Sequence, residues 1–334
     1  MVMNLKSCRD RVEWDDYVLE NGGHPLQLWG WGELKSSHGW KVDRLFLLDA
    51  SDRVVGAVSL LIRTLNWPFK SLAYVPRGPV VGDVHRQDML RLLADYVQRT
   101  YGSVAVSIEP DAVEYEVSDG WRLAKNQILP SRTILLDLTR TEDELLADMA
   151  KKTRQYIRKS SSENFEIRAI KSRGELVKCL DVYHQTSARA GFDLHSDEYY
   201  YDVFEKLGEH SPVFAAYQGD QPIAFLWLAI SAETAYELYG GMNEQGQVLR
   251  ANFALKWYAI RKCREWGLSR YDFGGLLDGG IATFKMGWAA GETKLAGTFD
   301  RPLSVFYVVW NQGLPLFKKA ARLAKQYLSK VKNN

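Results

Sequence analysis

One order of elements occurs twice in this 334-residue chain, and it limits the possible folds more than any other feature. In the first half, Leu45-Phe46-Leu47-Leu48, a polar turn over 49–53 and the apolar run 54–62 read as a β-hairpin. In the second half, Val213-Phe214-Ala215-Ala216-Tyr217, the turn 218–221 and the run 222–230 read the same way. Each hairpin is followed by a further strand, Ser71 to Val75 or Ala235 to Tyr239, and then by a helix. Residues 86–101 carry Met89, Leu92, Leu93, Tyr96 and Val97 at helical spacing. Residues 249–266 carry Leu249, Phe253, Trp257, Ile260 and Cys263 in the same way. Each helix runs up to a glycine, Gly102 or Gly267, where a left-handed cap is expected. A short strand follows each, 104–108 or 271–273, with an acid at its end: Glu109 in one, Asp272 in the other. A repeat of this length predicts a duplicated mixed α/β domain, not a solenoid.

The length suits two domains. The expected boundary lies near Asp137-Leu138-Thr139, giving 1–138 and 139–301, with the first domain completed by a C-terminal segment over 302–334. Thr141 and Glu144 form a capping box that opens a helix with Leu145, Met149, Tyr156 and Ile157 on one side. A last helix is expected over 314–331, with Pro315 near its start. Net charge is only +2, so any nucleic-acid contact must come from local patches. The three cysteines and six histidines are scattered, which argues against a disulfide framework, a zinc site or any metal cofactor. With no leader-like N-terminus and no apolar run of spanning length, the expectation is a cytoplasmic protein. The element order is that of the GNAT acyltransferase fold, so two tandem GNAT-like domains are expected, each a mixed sheet flanked by helices.

Chemistry concentrates just beyond the second strand end. Gly279-Gly280-Ile281-Ala282-Thr283-Phe284-Lys285-Met286-Gly287-Trp288 places a lysine among aromatics in a glycine-rich stretch. Open α/β sheets keep their sites beyond strand ends. A fixed ammonium there can stabilise an oxyanion as it develops. No nucleophile elbow of the GxSxG type is present. Glu109 and Asp272, ending their strands, are the best candidates for a base.

Six segments, in order over nearly the whole chain, resemble the FemABX aminoacyltransferases of peptidoglycan interpeptide bridges. They are 25–35 around Trp29-Gly30-Trp31-Gly32, 74–80 around Pro76-Arg77-Gly78-Pro79, Ile108-Glu109-Pro110, 186–192 around Arg189, Tyr239-Gly240-Gly241, and 284–288. The resemblance implies transfer of an amino acid (Gly, Ala or Ser) from aminoacyl-tRNA to a stem-peptide amine. The acceptor would be a peptidoglycan precursor, lipid II or UDP-MurNAc-pentapeptide. No sustained charged heptads occur, so the compact form without a coiled-coil arm is expected. The resemblance places Lys285 and Phe284 at the reacting ester, and Glu109 near the acceptor. It places Lys35 and Arg189 on the precursor's diphosphate, where phosphate needs cations. Tyr239 is a candidate for stacking on the stem peptide. Arg77 joins this substrate-binding set, although its setting also reads as ordering a turn.

Two basic stretches are candidate tRNA contacts: Lys151, Lys152, Arg154, Arg158 and Lys159, and, on the last helix, Lys318, Lys319 and Arg322 with the lysines after them. That last helix is also basic and amphipathic, which suits peripheral contact with the inner face of a membrane. A monomer is expected. Two other functions compete. One is a GNAT N-acyltransferase using acyl-CoA, against which stands the lack of a Q/R-x-x-G-x-G/A loop in Glu244-Gln245-Gly246-Gln247-Val248-Leu249-Arg250-Ala251. The other is a non-catalytic tRNA- or precursor-binding protein.

Overall fold

A computed structural model describes residues 3–277 and 279–313. The expected last helix, with Lys318, Lys319 and Arg322, lies outside the described residues, whose final stretch, 307–313, is already helical. The chain opens with β1 (Asn4–Ser7), α1 (Arg11–Glu20) and α2 (Trp29–Ser37). The first hairpin is β2 (Lys41–Leu48) and β3 (Val54–Thr64), with Leu45 opposite Val58. Next, β4 (Ser71–Val75) returns antiparallel to β3 and β5 (Val80–Val81) pairs with the start of β3. The helix α3 (Asp83–Tyr101) then crosses over, so that β6 (Ala105–Ile108) lies parallel to β4. Gly102 caps α3 at φ 54°, left-handed as its position suggested. After β7 (Arg122–Leu123), β8 (Arg132–Thr133) and β9 (Leu135–Asp137), the chain enters the second unit.

That unit runs α4 (Glu142–Asp148), α5 (Lys151–Ser161), β10 (Glu166–Ala169), α6 (Arg173–Ala190) and α7 (Asp197–Leu207). The second hairpin, β11 (Val213–Gln218) and β12 (Gln221–Ile230), is followed by β13 (Thr234–Met242), antiparallel to β12. After α8 (Glu244–Val248), α9 (Ala251–Glu265) crosses over to β14 (Arg270–Asp272), parallel to β13. The described chain closes with α10 (Gly280–Met286), β15 (Thr293–Lys294) and β16 (Phe299–Pro302). Hairpin, antiparallel third strand, crossover helix and parallel fourth strand therefore occur twice.

The expected bounds of the two units shift by one strand at each end. Leu135–Asp137 adds to the second sheet, because β9 pairs with β14; Phe299–Pro302 adds to the first, because β16 pairs with both β6 and β7. The sheet orders are β1-β2-β3-β4-β6-β16-β7 and β10-β11-β12-β13-β14-β9. Each unit thus takes a strand from beyond its expected limits, β9 at the edge of the second sheet and β16 between β6 and β7 of the first. A second correction concerns 142–161. The capping box at Thr141 and Glu144 is present, but the helix breaks at Met149, which is extended at ψ 148°. The Arg154 guanidinium donates to the carbonyls of Leu146, Ala147 and Met149, and the Ala150 amide donates to Gly287, so the end of α4 is satisfied without continuing it.

Alternation along the strands makes both faces of each sheet apolar. In the first unit Leu45, Leu47 and Val58 pack on Met89, Leu93 and Val97 of α3, while Phe46, Leu48 and Ala57 pack on Trp14, Val18 and Leu28. In the second, Phe214, Leu226 and Leu228 face α9, while Phe225 and Trp227 face α6 and α7. This last cluster also takes in Leu26, Trp31 and Leu34, so α2 joins the units by packing on α7. Gly30 permits that approach: a Cβ there would run into the Lys206 carbonyl oxygen.

Candidate active site

The parallel strands β13 and β14 pair only as far as Tyr236 and Asp272. Beyond that point they part, and the carbonyls at the end of β14 lose their strand partners. Lys285 supplies new ones. Its ammonium donates to the Phe273 carbonyl and, at 2.9 Å, to that of Gly275. An ammonium has three N–H donors, so two hold Lys285 at the fork and one is left for another group. Gly274, at φ 73°, lets the strand end bend here; a Cβ would meet the Glu237 carbonyl. The glycine-rich stretch winds into the short helix α10, which carries Lys285 and Phe284 in its last turn.

Under Lys285 lies a buried pair that the sequence reading passed over. The Lys256 ammonium bonds Glu237, and both side chains are less than a tenth exposed. Tyr271 also donates to Glu237, at 2.8 Å. The Lys256 ammonium sits 4.4 Å from the ring of Phe273, 5.4 Å from that of Phe284 and 5.9 Å from that of Trp288. Burial pulls its pKa down to about 8, with the Lys285 charge adding to the effect and Glu237 opposing it. A signal was available: Lys256 interrupts the apolar stripe of α9 between Phe253 and Ile260, where a surface lysine would not fall.

A bulge sets the other side of the site. Tyr239 faces Trp227 and Glu237 faces Leu228, so Leu238 is the extra residue in β13. The extra residue switches the faces that follow it. Glu237 points toward α9, and Tyr239 points toward α6 and α7, among Tyr183, Tyr200 and Trp227 at 6.0, 5.0 and 5.5 Å. Tyr199 stands beside Tyr239, and its hydroxyl accepts a 2.8 Å hydrogen bond from Lys35. The Lys35 ammonium also lies 4.4 Å over the Trp31 ring. Burial lowers its pKa to about 8. Three residues past Tyr239, roughly 10 Å along the strand, the Met242 carbonyl accepts from the exposed Arg189 at 2.8 Å. Gln247, with its amide turned to satisfy both groups, accepts from the same guanidinium. Lys35, Tyr239 and Arg189 are thus brought together along one edge of β13.

The remaining candidates hold the frame. Glu109 is 1% exposed. It accepts from Tyr74, from Thr298 at 2.6 Å and from the amides of Leu129 at 2.7 Å and Ile128 at 3.2 Å. With these donors on it the carboxylate ties β6 to two loops and has little capacity left for a proton acceptor's work, contrary to the role expected of it. Asp272 is fully buried; one oxygen accepts from Thr133 at 2.5 Å and from the Gly274 amide at 2.8 Å, and the other has no partner among the described residues. Burial raises its pKa. Arg77, 3% exposed and at φ 47°, orders the junction of the units: it donates to the Pro130 carbonyl and lies in the field of Asp272, Asp111 and Glu109. It lines a cleft of about 550 Å³ with His24, Arg86 and Tyr115, which Lys35, Arg189 and Lys285 do not reach.

Of the first basic stretch, Lys151, Lys152, Arg158 and Lys159 are exposed, whereas Arg154 is taken up in closing α4. The start of α5 packs against α10, with Thr153 close to Gly287. The start of α5, which carries Lys151 and Lys152, therefore lies close to the end of α10. Among the described residues no three His, Cys, Asp or Glu are grouped to hold a metal ion, and no helix is long and apolar enough to cross a membrane.

Comparison with known proteins agrees with this architecture. Residues 147–286 match the acetyltransferase (GNAT) domain. Over 220 residues the chain is 24% identical to lipid II:glycine glycyltransferase of Staphylococcus aureus (strain MRSA252), a stretch covering 59% of this chain and 51% of that one. The chain thus spans about half the length of the curated relatives it matches. The crystal structure of FemX shares the fold with a TM-score of 0.79 at 19% identity, over 95% of this chain and 99% of that chain. The C-terminal domain of a putative lysylphosphatidylglycerol synthetase from Agrobacterium fabrum follows with a TM-score of 0.58 at 12% identity, over 91% and 94%. The described helices form no coiled-coil arm, as expected. A GNAT domain match over residues 147–286, the fold of FemX over nearly the whole length and sequence similarity to the glycyltransferases together support the resemblance to the FemABX family.

Proposed function

We propose that this protein is an aminoacyltransferase that moves Gly, Ala or Ser from aminoacyl-tRNA to the stem-peptide amine of a peptidoglycan precursor. The observation that carries this reading is Lys285 at the fork of β13 and β14, held by two carbonyls with one N–H to spare. The similarity to lipid II:glycine glycyltransferases supports the acceptor class.

An aminoacyl ester is already activated, so the enzyme's work is to align it with the amine, worth roughly 7–11 kcal/mol, and to stabilise the oxyanion. The amine nitrogen forms a bond to the ester carbonyl carbon. The carbonyl oxygen takes the negative charge and meets the free N–H of Lys285. The intermediate collapses by breaking the bond to the ribose oxygen, which takes up a proton as the amine loses one to solvent. No dedicated base is required. Lys35 and Arg189 hold the diphosphate, and Tyr239 contacts the stem peptide. Lys151 and Lys152 at the start of α5 oppose the helix dipole there, a cost that a polyanion would reverse. They and Arg158 and Lys159 form the tRNA seat beside Lys285.

Incubating the enzyme with charged tRNA or acetyl-CoA and a muropeptide precursor, read by mass spectrometry, tests this reading. The added mass names the acyl group. Loss of transfer on ribonuclease treatment supports the tRNA donor; robust transfer from acetyl-CoA without tRNA would sink it. The segment that would hold a coenzyme pyrophosphate forms the compact helix α8, where a Cβ on Gly246 would strike the Ile223 carbonyl.

A further inference from the structure

We infer that one end of the first unit docks on an anionic lipid surface, through Trp67 in the β3–β4 loop together with Val305, Phe306, Val308 and Val309 after β16. Trp67 is 91% exposed and Val305 87%, with Val308 and Val309 at 55% and 59% and Phe306 at 40%. The two segments form one surface, because the Phe69 ring lies 6.5 Å from that of Phe306 and 5.3 Å from that of Trp310. Their backing is fixed. Tyr307 points inward among Val104 and Ala105 and donates to Asp300 at 2.6 Å, and the Asn126 amide donates to the carbonyl and side chain of Asn311. With Tyr307 anchored in the core, its neighbours are presented outward.

A water-facing helix start puts polar side chains outside. Here residues 303–313 contain no charged residue at all, and Gln312 apart the exposed positions are valine and phenylalanine. Apolar surface of this kind marks a contact. Charge identifies the partner. At the edge of the patch the Arg122 guanidinium lies 4.5 Å over the Tyr307 ring. The sequence past 313 carries Lys318, Lys319, Arg322, Lys325, Lys330 and Lys332 with no Asp or Glu. Apolar and indole groups beside cations fit a bilayer in which the former enter the headgroup boundary and the latter meet lipid phosphates. A second copy of the chain carries the same excess of cations in this stretch of sequence and offers it no acidic complement. The choice of lipid over another acidic partner rests in part on the proposed acceptor, which can be lipid-linked.

The test is flotation of the full chain with vesicles of phosphatidylcholine, with and without phosphatidylglycerol. The wild type is expected to float with the mixed vesicles, and less so at high salt. Trp67→Ser/Val305→Ser/Val309→Ser changes only well-exposed positions, so its thermal melt should match the wild type while its partitioning falls by about tenfold or more. Equal flotation of the folded variant, no flotation of the wild type, or a wild-type dimer that the variant dissolves would each overturn the inference. The readout needs no catalysis. If the wild type floats but transfers nothing to any precursor, the transferase reading fails and the docking surface stands. If both proteins transfer equally to a soluble precursor and to one embedded in vesicles, docking fails and the transferase reading stands.

Discussion

The Lys35 ammonium donates a 2.8 Å hydrogen bond to the hydroxyl of Tyr199, across the junction where α2 of one unit meets α7 of the other. This bond places a half-buried cation of the first unit beside Tyr239 of the second. Any ligand that draws on both must bridge the units, which gives the proposed diphosphate site its position.

Lys35→Ala and Arg189→Ala should each weaken precursor binding at least several-fold, since a charge-assisted bond contributes roughly 1.5–3 kcal/mol. Titration calorimetry checks this, and tRNA affinity should be spared. Lys35 adds a pH signature. Its folded-state pKa, about 8, lies below the ordinary 10.5, so across that window the unfolded chain binds the extra proton and stability rises with pH. Anion affinity moves the other way and falls as pH rises through about 8. Lys35→Met should lack that decline. Unchanged affinity in both alanine variants would remove the site.

Asp272 should limit stability more than rate. Burial raises its pKa, so its contribution is most favourable below the unfolded value of 3.8 and is lost as pH rises through the folded one. Asp272→Asn keeps the oxygen that accepts from Thr133 and Gly274 and removes the charge. At neutral pH its melting temperature should equal or exceed that of the wild type. Transfer should slow by less than about a hundredfold, the low end for an essential general base. A larger loss with the fold intact would make Asp272 the base.

Periodicity and turn chemistry made the duplicated framework legible. The hairpins, α3, α9 and the Gly102 cap all follow from local patterns. What escaped depends on contacts distant in sequence. β9 and β16, with three and four residues, carry too little pattern to reveal which sheet they join. The bulge at Leu238 has no local marker, yet it decides that Tyr239 meets Tyr199 and Glu237 meets Lys256. Glu109 read as a free strand-end acid because its donors, Tyr74, Leu129 and Thr298, come from three other parts of the chain. Lys285 was conspicuous by composition alone, but the carbonyls that fix it become available only where β13 and β14 part.

The Lys256–Glu237 pair should behave as a buried couple. Removing one partner leaves the other charged in an apolar cage, which typically costs about 3–5 kcal/mol. Lys256→Met and Glu237→Gln should each lower the urea midpoint sharply. The double variant Lys256→Met/Glu237→Gln should be less destabilised than the sum of the single ones. Strict additivity would show that the two residues do not act as a pair.

Lys285→Met tests the chemistry most directly. Methionine keeps most of the aliphatic stem beside Phe284 and gives up the hydrogen bonds to Phe273 and Gly275. Phe273 and Gly275 are buried but Lys285 is only half-buried, so the fold should persist with a drop in melting temperature. Loss of an oxyanion donor costs about a hundred- to thousand-fold in rate. The variant should therefore bind precursor normally and transfer its amino acid that much more slowly. Single-turnover measurement with preloaded charged tRNA separates this from any effect on binding. The contrast with Asp272→Asn is the discriminating one: slow transfer in the lysine variant and only mild loss in the aspartate variant place the burden on oxyanion stabilisation, not proton removal. Near-normal single-turnover rates in Lys285→Met would refute the role of the ammonium.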